Sequence, residues 1–459
     1  MKKKSKLRRN SLLVVVFALL VGLLAACGGG GGTAPADGNK GADSADGNAE
    51  GGGDTPDAIE FRVAWWGSVD RHELYNEIID RYEELNPHVT IVREFAGFGD
   101  YWNRIATQSA GGNAPDIITL HTQIYGREYP DKGVLIPLDE YVERGLIDLT
   151  GWDQAIVDAG RVDGVLYSIS KGVTSGSMIV NTDMIERAGG QVPPKSGITY
   201  DEFREWALQL QPNLPEGSYV VNDVGRQDSF FDTYLRNLGK SLFAPDGNSV
   251  GFEVQDLIDY WTYWNELREA GVTPPPEVTA EYVGLPWESS MFVNNINAIQ
   301  FENSNQGKIF QMYMDDHVDI IRLPMVDGAP YKSGENLISS GWAITKDSDP
   351  AIRDELAKFI NWFVNDEFAG SKFNAELGVV GPSHIAEKII DTIAPTDVYA
   401  FEHMAQISAD IPPSEPWAEG GSTFRQLFET AYDQLSFGQL TIEEAAQQVY
   451  DEANRMLAD

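Results

Sequence analysis

Apolar positions recur along this chain with two different periods. Ile59, Phe61, Val63 and Trp65 alternate with Glu60, Arg62 and Ala64, the two-residue period of a strand that ends at Trp66-Gly67-Ser68. Leu74, Ile78, Tyr82 and Leu85 then recur at helical spacing, and Asn86-Pro87 stops the helix. Val89 to Val92 reads as a second strand and Asp100 to Ser109 as a second helix. Ala110-Gly111-Gly112-Asn113 breaks that helix, and Pro115 to Leu120 reads as a third strand. Strand, helix, strand, helix, strand predicts parallel pairing through right-handed crossovers. Ligands of such sheets bind beyond the carboxyl ends of the strands, so Trp66 to Arg71 and His121 to Tyr125 are the positions of interest.

Later segments repeat the theme. Thr199-Tyr200-Asp201-Glu202 and Thr441-Ile442-Glu443-Glu444 have the spacing of capping boxes. Asp256 to Ala270 and Ile352 to Val364 are helical in pattern, and Gly341 to Ile344 reads as a strand. No repeat of solenoid period is present.

The N-terminus follows neither period. Met1 to Asn10 is basic, and Leu12 to Ala26 is an unbroken run of 15 apolar or small residues. A membrane span needs roughly 20, so the run reads as a signal-peptide core. It ends in Leu24-Ala25-Ala26-Cys27-Gly28, which resembles the bacterial lipobox, with Cys27 becoming the lipidated first residue after cleavage. Gly28 to Ala58 holds 11 glycines and no large apolar residue, and predicts a flexible tether spanning about 30 Å.

Charge narrows the functional classes. The chain of 459 residues carries 34 Lys+Arg against 70 Asp+Glu. Six of those basic residues lie before Cys27, so the mature portion keeps 28 basic against 70 acidic side chains, a balance of −42. Nucleic-acid binding is disfavoured, because phosphate contacts need clustered cations. Adhesion to an anionic membrane surface is disfavoured too. Cys27 is the only cysteine, which excludes an intrachain disulfide. The six histidines (72, 88, 121, 317, 384 and 403) are dispersed, which weakens a metal-capture reading. The phosphate-loop pattern is absent.

The order of motifs resembles the extracellular solute-binding proteins of bacterial ABC sugar importers, the maltose-binding-protein-like family. Lipobox, Gly-rich linker, Trp65-Trp66-Gly67 and a helix ending Asn86-Pro87 follow that family's opening. Gly111-Gly112 followed by Pro115-Asp116, then Lys132 to Leu138, match its next elements. Gly164 to Ile169 followed by Val180-Asn181-Thr182-Asp183 matches its crossing segment, with Val180 in place of the usual Tyr. Ser340 to Thr345 and Glu376-Leu377-Gly378 match later elements, so the likeness spans residues 59–459.

The resemblance implies two α/β lobes of the type II periplasmic-binding-protein fold, discontinuous in sequence and joined by crossing hinge strands. Carried onto this chain, the first lobe is residues 59–172 plus 339–379 and the second is 176–336 plus 382–459. It also implies a non-catalytic monomer that binds a carbohydrate, expected to be an oligosaccharide, and delivers it to the permease subunits of an ABC transporter. No cofactor or metal is implied, and the membrane is met only through the lipid on Cys27, at the outer face of the cytoplasmic membrane.

A sugar presents hydroxyls that need polar partners and C–H faces that suit aromatic rings. Trp66, Trp287, Trp342 and Trp417, at strand ends or in Gly/Pro loops, are the candidate stacking platforms, while Trp65 should point away from Trp66. The polar candidates are Asp70, Arg71, His121, Gln123, Asp228, Asn303 and Asn305, with Asn305 standing where the family often places an aromatic or amide. Asp70 also suits a helix start, and Asp116 reads as structural. Two alternatives stay open: a surface-anchored glycoside hydrolase, which needs two carboxylates about 5–10 Å apart, and a binding protein for a non-sugar solute.

Overall fold

The computed structural model describes residues 57–407, 410–412 and 416–458. The signal run, Cys27 and nearly all of the tether lie outside the described residues. The strands run β1 (Ile59–Trp66), β2 (Val89–Ala96), β3 (Ile117–His121), β4 (Arg161–Val162), β5 (Val165–Leu166), β6 (Ile169–Thr174), β7 (Gly176–Asn181), β8 (Tyr219–Val221), β9 (Asn297–Asn303), β10 (Val318–Ile321) and β11 (Ile338–Ile344). One sheet has the order β2-β1-β3-β11-β6 and the other β10-β7-β9-β8, while β4 and β5 form a small hairpin. β1 is parallel to β2 and to β3, as the alternating pattern predicts. β11 joins from far along the chain, antiparallel to β3 and β6.

Side-chain alternation decides which face of the first sheet each residue serves. Phe61, Val63 and Trp65 of β1 point to one face and pack with Tyr75, Ile78 and Tyr82 of the Val69–Leu85 helix. The Arg353–Asn365 helix completes that layer through Leu356, Phe359 and Phe363. Ala64 and Trp66 point to the other face, against Tyr101, Trp102 and Ile105 of the Phe98–Ala110 helix. Asp116 is structural: its Oδ2 accepts the Arg62 N–H of β1 at 2.8 Å.

The second sheet lies in a larger core. Met178 and Val180 of β7 and Phe301 of β9 pack with Trp261 and Trp264 of the Val254–Glu269 helix. Phe424, Phe428 and Tyr432 of the Gly421–Ser436 helix close the same core. Both capping boxes form. Thr199 and Glu202 exchange bonds at the start of the Tyr200–Leu210 helix. At the last helix the Thr441 N–H donates to Glu444 and the Glu444 N–H donates to Thr441.

The chain passes from the first sheet to the second within one residue, the buried Ser175 between β6 and β7. It returns between β10 and β11, and Val173 exchanges two backbone bonds with Val379 at 2.8 and 2.9 Å. These are two discontinuous α/β lobes joined by crossing strands. Residues 56–459 form one compact unit. Among the described residues no helix is long and apolar enough to cross a membrane.

Candidate ligand-binding site between the lobes

The strand ends of the first lobe build an aromatic wall. Trp66 closes β1 with 8% of its surface exposed. Its ring meets Tyr101, Phe98 and Trp102 at centroid distances of 5.3, 5.4 and 5.6 Å. Trp102 stacks on Tyr125 at 3.7 Å. His121 closes β3 and lies 6.3 Å from Trp66 and 6.1 Å from Phe98. Phe98 is 40% exposed at the rim, lifted there by the bare Gly97-Phe98-Gly99 turn into its helix. Burial pushes the His121 imidazole down to about 3, and the positive field of Arg425 adds to it. The ring is therefore neutral at physiological pH, with one donor and one acceptor nitrogen for hydroxyls. Its Nδ1 has no hydrogen-bond partner among the described residues.

The facing wall comes from the second lobe and is charged. Arg425, on the first turns of the Gly421–Ser436 helix, holds both carboxylate oxygens of Asp228 from Nε at 3.1 and 3.2 Å. Its guanidinium lies 5.5 Å from the Trp417 ring centroid. Its field reaches His121 and Tyr125 on the other lobe, and Glu302 at the end of β9. Burial raises Glu302 to about 7, against the Asn303 N–H and Arg425, which stabilise its anion.

A polar clasp joins the two walls. The Trp417 backbone N–H donates to the Gln123 carbonyl at 2.7 Å. Gln123 Nε2 and the Trp417 indole N–H both donate to Asp232 Oδ2, at 3.3 and 3.2 Å. Burial raises the Asp232 carboxyl above its ordinary range, opposed by Arg236 and by these two donors.

The candidates therefore divide. Trp66, His121, Gln123, Asp228 and Trp417 gather at the junction. Trp417 is only 3% exposed there, with its N–H committed to Asp232, so it fastens the lobes more than it offers an open ring. Trp342 does not join them. It is fully buried in β11 among Tyr75, Phe359 and Phe363, because alternation turns it to the core face. Arg71 is held by Glu376 at 2.9 Å. Asp70 is an exposed first-turn residue of a helix whose cap is Ser68. Asn305 is buried at the crossing, bound to the Thr174 hydroxyl at 3.1 Å, which fits hinge structure better than ligand contact. Asn303 is partly exposed at the end of β9 and gives its N–H to Glu302. Trp287 lies on a separate loop, 38% exposed, with its ring against Phe310 at 5.9 Å. Phe98 and Arg425 were not predicted from sequence. A lone aromatic between two glycines is a signal for the first, whereas Arg425 sits in an ordinary amphipathic helix.

Two discontinuous α/β lobes, crossing strands and a polar–aromatic junction at strand ends define the class as the periplasmic-binding-protein fold. The likeness extends over 87% of this chain for three solved structures. A periplasmic solute-binding protein of Pectobacterium atrosepticum is 21% identical with a TM-score of 0.76, and 98% of it is covered. A periplasmic oligogalacturonide binding protein of Yersinia enterocolitica, in complex with saturated digalacturonic acid, is 18% identical with a TM-score of 0.75 and 98% coverage. An ABC substrate-binding protein of Listeria monocytogenes, in complex with cycloalternan, is 20% identical with a TM-score of 0.73 and 98% coverage. At these identities the likeness establishes the fold. The family itself follows from a match to the family description of bacterial extracellular solute-binding proteins over residues 67–369, and the chain belongs to that family. Membership implies a solute-binding role outside the cytoplasm and delivery of the solute to an ABC transporter.

Proposed function

We propose that this protein captures an oligosaccharide between its lobes and hands it to an ABC permease, with the body leashed to the outer face of the cytoplasmic membrane through lipidated Cys27. The observation that carries this reading is the pairing of Trp66 and the partly exposed Phe98 with the polar groups of His121, Asp228, Arg425 and Glu302. Aromatic rings take the C–H faces of a sugar and the polar groups take its hydroxyls. The lobes, with the boundaries carried over from the family, would close on the ligand about the crossings near Ser175, and the closed form would dock as a monomer.

A thermal-shift screen against neutral and acidic oligosaccharides tests this. A binder raises the melting temperature by mass action. No shift with any glycan, alongside a shift with a peptide or polyol, replaces the carbohydrate reading by another solute. The glycoside hydrolase alternative rests on Glu302, whose carboxyl sits near neutrality. Release of reducing sugar by the wild type and its loss in Glu302→Gln would establish that alternative. Intact mass of membrane-extracted protein tests the anchor: diacylglycerol mass on Cys27 supports it, and Cys27→Ala should release the protein.

A further inference from the structure

A second concave site belongs to the second lobe alone and shares no residue with the junction. Four segments of the chain line a groove of about 310 Å³ there. Tyr200 opens the Tyr200–Leu210 helix, where the Thr199–Glu202 capping box fixes its backbone. Its N–H also donates to the Met325 carbonyl at 3.0 Å. Tyr260 and Tyr263 come from the Val254–Glu269 helix, and Tyr234 comes from the Asp228–Asn237 helix. The rings stand as walls to one another. Tyr200 meets Tyr234 at 5.7 Å and 84°, and Tyr263 at 5.1 Å and 87°. Tyr234 meets Tyr260 at 5.5 Å. The Tyr263 hydroxyl donates to the Tyr200 carbonyl at 2.8 Å, which pins that corner. Tyr200 and Tyr234 are only half-buried, so ring surface remains for a ligand.

The rim of the groove is acidic. Asp259, Tyr263 and Glu266 follow helical spacing, which sets both carboxylates on the face that carries the ring. Asp201 and Asp327 enter from the neighbouring helix start and from the loop after β10. All four carboxylates are exposed. Against them stands one guanidinium, that of Arg204, tied to Glu266 at 3.2 Å. It lies 4.7 Å from the Tyr263 ring centroid, so the fold already seats one cation on this wall. Asp201, Asp259 and Asp327 form no ion pair among the described residues. A metal ion would need carboxylates converging on one point, and no such group occurs among the described residues. Electron-rich ring faces with surplus negative charge around them instead suit an organic cation, whose alkyl groups the rings also cover. We propose that this groove is a second ligand site, for a small alkylated ammonium ion.

Titration calorimetry of the wild-type protein at constant ionic strength tests this. The probes are choline and dimethylbutanol, the uncharged isostere in which carbon replaces the nitrogen. Choline is expected to bind saturably and at least about tenfold tighter than the isostere. Tyr234→Leu keeps apolar bulk on its helix and should weaken choline at least about threefold. The exposed pair Asp259→Asn and Asp327→Asn, combined in one variant, should weaken it too, and raised salt should do the same to the wild type. Equal affinity for choline and dimethylbutanol would reduce the groove to apolar contact and overturn the proposal. An absence of choline binding would overturn it as well. Weakening by Trp66→Ala in place of Tyr234→Leu would put the cation at the junction and end the assignment to this groove.

Discussion

The two walls of the junction are built from different chemistry. The first-lobe wall is rings: Trp66, Phe98, Trp102 and Tyr125, with a neutral His121 at its edge. The second-lobe wall is charge: Asp228, Arg425 and Glu302. The difference follows from what each lobe brings to the divide. Parallel strands end there in the first lobe, and the side chains leaving those ends pack on a neighbouring helix as well as facing outward. In the second lobe a helix start and a strand end meet, and Arg425 bridges from another helix to Asp228. Rings offer area with little directional demand, while paired charges demand fixed hydrogen-bond geometry. Affinity should therefore rest more on the first wall and selection more on the second.

The largest expected effect separates wall from core within the first lobe. Trp342→Ala should cost about 3–5 kcal/mol of folding stability, as expected for a large core aromatic. The protein that remains folded should bind as the wild type does. Urea denaturation followed by titration of the folded fraction reads both. An affinity loss with stability intact would return Trp342 to the site. Trp66→Ala is the complementary change: the wall should lose at least about tenfold in affinity, or about 1.4 kcal/mol, read on protein shown to be folded.

That pair also marks what the sequence could reveal. Alternation separated Trp65 from Trp66 correctly, because both lie on one short strand whose faces have different partners. The same rule was available for Trp342, but Gly341-Trp342-Ala343 carries no polar marker of which face is outside. In a strand buried on both faces, pattern loses its phase. The two parallel crossovers and both capping boxes were legible because each rests on neighbours close in sequence. The Arg425–Asp228 pair was not, since nearly 200 positions separate its partners. The candidacy of Asn305 rests on family analogy, and its tie to Thr174 spans 131 positions.

The walls should also respond to pH in opposite directions. His121 titrates near 3 in the fold against an ordinary value of about 6.5, so the unfolded chain binds the extra proton between those values. Its contribution to stability is present above 6.5 and is lost as pH falls. Glu302 titrates near 7 against an ordinary carboxylate value of about 4.3, so the fold binds the extra proton in that window. Its contribution falls as pH rises from 4.3 to 7. Denaturant midpoints of Glu302→Gln relative to wild type should therefore improve from pH 5 to pH 8. His121→Asn should lose the acid-side slope instead. Parallel behaviour of the two variants would break the contrast between the walls.

The smallest expected effect concerns Trp287, which neither wall includes. It is partly exposed, and among the described residues its one aromatic neighbour is Phe310 at 5.9 Å, edge to face. An exposed substitution away from caps, cores and ion networks costs little, and losing one edge-to-face contact adds about 0.5–1.5 kcal/mol at most. Trp287→Ala should therefore shift the urea midpoint only slightly. Its effect on a trisaccharide should be well below that of Trp66→Ala, because among the described residues no aromatic contact ties its ring to the Trp66 cluster. Comparing trisaccharide with hexasaccharide sharpens this. If the variant binds the short glycan like wild type but loses affinity for the long one, the first-lobe wall is the primary platform. Trp287 then extends the second lobe with a ring of its own. Equal losses for both lengths would place Trp287 within the central site and end the division of aromatic and charged walls between the lobes.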